Sequence, residues 1–254
     1  GVIFKKEYPH MASNEGHPSF PITIDRTQKL WRYMDFTKFV HLLSSKTLWF
    51  NRADRFEDPF EGKYPLKNLQ AMRNSHSSVI ETLVEHMRQF TYVNCWYISD
   101  HESAAMWKLY AQTSEAVAIQ TTYEKLHQLM PEDCYLGEIT YIDYKNDYIK
   151  LDNAFNPHMF KRNAFKHELE LRALIQDNKT PMKVFPNGKK VHDYDAVNDK
   201  AGLSVDILPS DLIESIHVAP SSPEWFKFLV LKVCSDYGID ESIVFLSSLD
   251  EEPY

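Results

Sequence analysis

The sequence is poor in glycine, with 7 glycines and 13 prolines among 254 residues. Flexible linkers are typically rich in glycine, so this scarcity argues against long linkers between domains. We therefore predict an N-terminal arm over residues 1–28 and a single domain over residues 29–254. A chain of this length buries enough surface to need neither a disulfide nor a structural metal.

Cysteine is scarce as well, and Cys95, Cys134 and Cys234 lie far apart in the sequence. No two of them have the spacing of zinc ligands, so no metal is expected. The sequence also lacks a signal-peptide core and any apolar run of the roughly 18–20 residues that a membrane span requires. These absences predict free thiols in a cytoplasmic protein that does not bind a membrane.

The motifs of several enzyme classes are missing too. The sequence contains no P-loop, no G-x-S-x-G, no G-x-G-x-x-G and no H-E-x-x-H. This disfavours ATPases, serine hydrolases, Rossmann dehydrogenases and zinc peptidases. The formal net charge of −8 disfavours general nucleic-acid binding, because such binding depends on neutralising phosphates with lysine and arginine.

What the chain does contain is an irregular alternation of short strands and helices. We predict strands at residues 29–33, 46–51, 92–99, 115–121, 137–144, 168–176, 203–206, 212–219 and 243–247. We predict helices at residues 37–44, 66–90 (with a break near 74–78), 104–111, 123–130, 148–166 (interrupted near Asn156-Pro157) and 223–237, and a loop or hairpin around Asn187-Gly188. This order favours an α+β fold with a mixed, mostly antiparallel central sheet flanked by helices.

The segment His167–Ile175 carries two glutamates and an arginine at alternate positions. As a strand, it would place Glu168, Glu170 and Arg172 on one face and three apolar residues on the other. Two carboxylates and a guanidinium on one face suit acid–base chemistry or the binding of sugar hydroxyls. The same pattern is typical of an antiparallel strand with one solvated face, so both interpretations stay open.

The loop at residues 51–62 combines four acidic residues with two phenylalanines. Asp58 and Glu61 are its candidate cleft residues, either as a substrate wall or as part of a metal site. The alternative is a structural loop in which Asp58, which precedes Pro59, accepts backbone hydrogen bonds.

Ser99 ends a predicted central strand, and Ser103 is placed to cap the helix that follows. A strand end that leads into a helix N-terminus is a natural place for an anionic group. Trp107 and Tyr110 on this helix are suited to stack on a flat ring, and the alternative is that they are aromatic residues of the core.

Arg32 points away from its neighbours Trp31 and Tyr33 in an extended segment. A single arginine in such a position is suited to bind a phosphate or carboxylate with two parallel hydrogen bonds. A surface arginine without a ligand is the alternative.

Several of these stretches together resemble a bacterial family known as domain of unknown function 2971. The matching pieces are LWRY (30–33), LWFNRADRFEDPFEG (48–62), NCWYISDHESAAMWKLYA (94–111), AVAIQT (116–121), ITYIDY (139–144), FKHELELR (165–172) and the tail from residue 213 to 254. The resemblance covers residues 29–254 and implies a bacterial, cytosolic origin.

A second resemblance, to ADP-ribosyltransferase-like domains, rests on Arg32 and Tyr33, then Ser99, then the late E-x-E pair. It implies a split central sheet and NAD as the substrate. By this resemblance, Arg32 would hold the NAD diphosphate and Trp107 or Tyr110 would stack on nicotinamide. Glu170 would bind the ribose and stabilise an oxocarbenium-like state, and Glu168 would orient or deprotonate the acceptor. The NAD-binding set would comprise Arg32, Tyr33, Ser99, Trp107, Tyr110 and Arg172.

Three functional hypotheses follow. The first is an NAD-dependent ADP-ribosyltransferase or NAD-cleaving enzyme, such as a toxin or phage-defence effector, whose macromolecular acceptor the sequence does not name. The second is a metal-assisted nuclease or hydrolase that uses the acidic loop at residues 54–61. The third is a non-catalytic module that binds a nucleotide-like ligand or a protein.

Overall fold

A computed structural model describes residues 17–21, 23–74, 78–111, 113–177, 182–193 and 195–253. Its strands are β1 (Lys29–Asp35), β2 (Thr47–Arg52), β3 (Thr91–Ile98), β4 (Ala116–Thr122), β5 (Cys134–Glu138), β6 (Thr140–Ile142), β7 (Phe160–Arg162), β8 (Glu170–Gln176), β9 (Met182–Val184), β10 (Lys190–His192), β11 (Gly202–Asp206), β12 (Ser215–Val218) and β13 (Val244–Leu246). Its helices are α1 (Phe36–Ser45), α2 (Leu66–Asn74), α3 (Ser78–Gln89), α4 (Ala104–Tyr110), α5 (Tyr123–Leu129), α6 (Pro209–Leu212) and α7 (Glu224–Asp236). Short 3-10 helices lie at Ala53–Arg55, Asn156–Met159, Asn163–Glu168, Glu241–Ile243 and Ser248–Asp250.

Within the described ranges, nine strands form one central sheet in the order β11-β2-β3-β1-β4-β12-β13, and β8 joins β3 to β5. Neighbouring strands run antiparallel except for β12 and β13, which are parallel. Helices α1, α5 and α7 pack on one face of this sheet and α4 packs on the other. The predicted α+β fold with a mixed, mostly antiparallel sheet is therefore confirmed.

Strand β3 has two different neighbours along one edge. Its start pairs with β2, where Val93 lies opposite Asn51, and its end pairs with β1, where Tyr97 lies opposite Trp31. Strand β8 pairs along the whole of the other edge. The sheet therefore divides into two branches between β1 and β2.

The strand register sorts side chains into two layers. Trp31, Tyr97 and Glu170 are cross-strand partners, so their side chains share one face of the sheet. Trp96 and Leu171 are partners on the opposite face, where they belong to the main apolar core. The candidate chemistry of β8 thus lies on the face away from that core.

Several predicted boundaries agree with the structure. The break in the helix at residues 66–90 separates α2 from α3, and residues 75–77 within it lie outside the described residues. The Ser103 side chain caps α4 by accepting a hydrogen bond from Met106 N at 3.3 Å. The hairpin formed by β9 and β10 turns at Gly188, whose φ of +78° suits a residue without a side chain.

Residues 148–166 do not form the predicted helix. They contain the 3-10 helix Asn156–Met159, strand β7 and the start of the next 3-10 helix. Pro157 lacks the amide hydrogen that a helix interior needs. The Asn156 side chain also takes the Lys150 carbonyl as an acceptor at 2.9 Å, which competes with helical hydrogen bonding. Strand β7 instead pairs in parallel with β6.

The predicted N-terminal arm is only partly covered, because residues 1–16 and 22 lie outside the described residues. In the remainder, Phe20 is fully buried and stacks on Tyr135 with ring centroids 5.1 Å apart. No helix in the described ranges has the length and apolar character needed to cross a membrane.

Candidate functional site

Arg172 on β8 is the centre of a buried charge cluster. Its guanidinium donates to Glu170 Oε1 through Nε at 2.5 Å, to the His158 carbonyl through Nη1 at 2.7 Å, and to Glu61 through Nη2. Arg172 is 1% exposed and Glu170 is 4% exposed. The predicted alternative of a solvated strand face is therefore wrong, since both charges are withdrawn from water.

Lys161 on β7 is the second cation of the cluster. Its ammonium nitrogen lies 2.5 Å from Glu168 Oε2, 3.1 Å from Glu61 Oε1 and 3.2 Å from Glu170 Oε2. One ammonium group therefore contacts three carboxylates. Sequence reasoning missed Lys161, because it lies in the segment that was predicted as helix.

Glu168 also belongs to this cluster, but a 3-10 helix positions it instead of the predicted strand. It ends the 3-10 helix, and Leu169 after it adopts a left-handed conformation with φ of +36°, so β8 begins only at Glu170. The prediction that Glu168 and Glu170 share one strand face is thus wrong in its geometry. The two carboxylates still meet, because the reversal at Leu169 directs both toward Lys161.

The cluster sets three carboxylates (Glu61, Glu168, Glu170) against two cations, so its charges do not balance. Burial raises the pKa of Glu170, but the charges of Arg172 and Lys161 outweigh it and lower that pKa to about 2. For Glu168, burial outweighs the attraction of Lys161, and the pKa lies above its ordinary value. Two glutamates on one lysine therefore have pKa values shifted in opposite directions.

The two candidate cleft residues of the acidic loop, Asp58 and Glu61, are held in ion pairs. Asp58 accepts a hydrogen bond from Phe60 N at 3.1 Å, as the structural interpretation predicts. It also pairs with Arg162 through Nε at 3.0 Å and Nη2 at 2.9 Å. Gly62 follows Glu61 with φ of +72°, and a Cβ there would lie 3.1 Å from the side chains of Arg88 and His158. Glycine therefore permits the turn that directs Glu61 inward.

The acidic loop is also the candidate metal site of the second hypothesis. Among the described residues, no group of three or more histidine, cysteine, aspartate and glutamate side chains is arranged to hold a metal ion. Lys161 Nζ occupies the position between the three carboxylates of the cluster.

The predicted aromatic residues have different environments. Tyr33 is buried and its hydroxyl accepts a hydrogen bond from Ser103 N at 2.8 Å. Trp107 is buried and donates to Glu102 at 2.9 Å. Both are core residues on the face of the central sheet that α4 covers. Tyr110 is 43% exposed, and burial of its hydroxyl together with the charge of Glu168 raises its pKa. Of the three, only Tyr110 is available to a ligand beside the cluster.

Ser99 follows β3 by one residue, close to the end of the strand that pairs with Glu170. Its hydroxyl accepts a hydrogen bond from His101 N at 3.1 Å, and its carbonyl accepts one from Trp31 Nε1 at 2.9 Å. These bonds order the turn that leads to α4.

Arg32 does not join the other predicted residues. It lies opposite Ile119 in the main core layer, and its guanidinium carbon is 5.8 Å from the centroid of the Trp96 ring. The register places Glu170 and Tyr33 on the other face of the sheet. The prediction of one cleft holding Arg32 together with Glu170 therefore fails, because adjacent strand residues face opposite ways.

Comparisons with protein-family models, with curated proteins and with solved structures found no match to this chain.

Proposed function

We propose that the chain is an enzyme that cleaves the N-glycosidic bond of NAD and transfers ADP-ribose to an acceptor or to water. The observation that carries the proposal is the pair Glu168 and Glu170, which share the Lys161 ammonium and have pKa values shifted apart. Enzymes that break glycosidic bonds commonly use two carboxylates whose environments give them different roles.

In this proposal, Glu170 is the permanently ionised group. The bond between ribose C1′ and the nicotinamide nitrogen breaks, and nicotinamide leaves with the bonding electron pair. The positive charge that develops on the ribose is stabilised by the Glu170 carboxylate. Arg172 and Lys161 hold that carboxylate in place and keep it ionised.

Glu168 acts on the acceptor. Its raised pKa makes it the better proton acceptor of the two carboxylates. It removes the proton from water or from an acceptor hydroxyl as the new bond to C1′ forms. Tyr110, the exposed aromatic beside the pair, provides a ring for the nicotinamide.

We also propose that the protein is cytoplasmic and that it belongs to the family known as domain of unknown function 2971. The three cysteines are free thiols in the structure, which suits a reducing compartment.

The proposal is tested by measuring nicotinamide release from NAD. Wild-type protein should release nicotinamide, and Glu170→Gln should reduce the rate at least about a hundredfold, because an ionised group at the reacting centre is lost. Glu241→Gln, which alters an exposed glutamate far along the chain, is the matched control and should keep the wild-type rate. Absence of release by the wild type, or equal rates for both variants, would refute the proposal.

A non-catalytic binding module is the second candidate. It is favoured by the burial of Glu170, whose two carboxylate oxygens are both engaged by Arg172 and Lys161. In that case NAD or ADP-ribose would raise the melting temperature of the protein without being consumed.

A further inference from the structure

A cavity of about 650 Å³ lies on the acidic-loop side of the charge cluster. Its walls come from the loop after Asp58, from the start of α2, from β6 and its following turn, and from β7. The volume falls within the range of small-molecule sites, which are roughly 300–1,000 Å³. Neither Glu168 nor Tyr110, the residues assigned to the proposed glycosidic chemistry, lines this cavity.

Aromatic rings form the apolar part of this cavity. Phe60 and Tyr144 contact each other edge to face with centroids 5.3 Å apart, and Tyr64 lines the same space. Phe60 is 40% exposed although it is a large apolar side chain. Such rings favour a flat aromatic ligand, which packs against them in offset or edge-to-face geometry.

Two cations adjoin these rings. Arg162 lies over the Phe60 ring at 4.6 Å, and its bonds to Asp58 use Nε and Nη2. Its Nη1 donates to none of the described residues, and 38% of the Arg162 side chain is exposed. Lys145 lines the cavity, is exposed, and forms no side-chain ion pair with the described residues. A guanidinium edge and an ammonium group next to an aromatic wall suit an anion carried by a planar ring.

The cavity is also linked to the charge cluster. Lys161 and Arg162 are adjacent on β7, and the Phe165 ring contacts both cations, at 4.8 Å from Lys161 Nζ and 5.4 Å from Arg162 Cζ. Alternation along the strand directs one cation to the carboxylates and the other to the cavity.

We propose that this cavity is a binding site for a nucleoside monophosphate, with the base against Phe60 and Tyr64 and the phosphate between Arg162 Nη1 and Lys145. The site goes beyond the proposed function, because it does not require a glycosidic bond to be broken. Adenosine monophosphate (AMP) is the probe, with adenosine and inorganic phosphate as its separate halves.

The test is calorimetric titration of the full chain with each of the three probes. AMP should bind more tightly than adenosine or phosphate alone. Phe60→Leu should weaken AMP binding about tenfold, because it removes an aromatic ring that contacts the base. Lys145→Gln should weaken it about fivefold, because it removes a cation that contacts the phosphate. Phe228→Leu and Lys150→Gln are matched controls at exposed positions outside the cavity and should leave the affinity unchanged.

Failure of AMP to bind at millimolar concentration would overturn the site. So would equal binding of AMP and phosphate, or unchanged affinity in both cavity variants. Because the titration involves no turnover, its outcome is independent of nicotinamide release. All four substitutions are at exposed side chains that form no ion pair with the described residues, so the variants should remain folded, and circular dichroism verifies this.

Discussion

The two faces of strand β8 are about equally buried, but one is stabilised by apolar packing and the other by paired charges. On one face Leu171 and Ala173 pack into the main core, where the benefit grows with the apolar area removed from water. On the other face Glu170 and Arg172 are just as inaccessible, and each depends on a specific partner. Apolar packing tolerates small changes of shape, whereas a buried charge that loses its partner is left uncompensated. This difference predicts how each face responds to substitution.

The largest effect is expected from Arg172→Met. This substitution leaves Glu61 and Glu170 facing each other with only Lys161 to compensate them. Breaking a buried pair from one side typically costs about 3–5 kcal/mol of unfolding free energy. Urea unfolding at neutral pH measures the loss, with Leu171→Met as a volume-conserving control on the apolar face that should cost below about 1.5 kcal/mol. Equal costs for the two substitutions would remove the contrast between the faces.

Glu170→Gln should cost about 3 kcal/mol at neutral pH, because the pKa of Glu170 is lowered to about 2 from an ordinary value of 4.5. A lowered pKa in the folded state stabilises the fold above the ordinary value, and this stability is lost as the pH falls toward 2. Wild-type protein should therefore lose more stability than the variant between about pH 4.5 and pH 2. Parallel stability curves for the two proteins would contradict the assignment.

Glu168→Gln should have the opposite effect on the pH dependence of the unfolding free energy. The pKa of Glu168 is raised, mainly by burial, so its stabilising contribution is present below the ordinary value and is lost as the pH rises through the folded-state value. A neutral glutamine at this position should therefore leave the unfolding free energy at pH 7 unchanged or higher. Chemical denaturation of this variant beside Glu170→Gln checks the sign, and a loss equal to that of Glu170→Gln would show that the two glutamates are equivalent.

The smallest effect is expected where the charges are exposed. Lys232 and Asp236 form an ion pair one turn apart on α7, with more than half of each side chain in solvent. Lys232→Gln should change the unfolding free energy by less than about 0.5 kcal/mol, because water and salt screen such pairs. A thermal melt at low and high salt measures this change. An effect comparable to that of Arg172→Met would mean that burial does not decide how much an ion pair contributes to the unfolding free energy of this protein.

Local patterns predicted much of the fold but little of the site. The alternation of apolar and polar residues around Leu171 and Ala173 correctly indicates a strand, and Ser103 correctly marks a helix start. The pairing of Arg172 with Glu61 joins residues 111 positions apart, and no local pattern encodes it.

Two errors have local causes. The helix predicted over residues 148–166 does not form, because the Asn156 side chain binds the Lys150 carbonyl in competition with helical hydrogen bonds, and the sequence alone does not reveal that bond. Lys161 lies in this segment and was therefore missed. Glu168 was assigned to a strand for a different reason: it continues the alternation of Glu170 and Arg172, and the left-handed conformation of Leu169 that interrupts the strand is not visible in that pattern. The misplacement of Arg32 has a different origin: order along the chain suggested one cleft, but the strand register, which decides the face, is a tertiary property.

The distinct ionisation of Glu168 and Glu170 is tested most directly by a carbon-13 NMR titration of the glutamate carboxyl groups, with Glu168→Gln and Glu170→Gln used to assign the two signals. We predict that Glu170 stays ionised until about pH 2, whereas Glu168 takes up a proton above the ordinary value of 4.5. If both carboxyl groups titrate together near that ordinary value, the pair does not have two distinct roles and the proposed chemistry loses its basis.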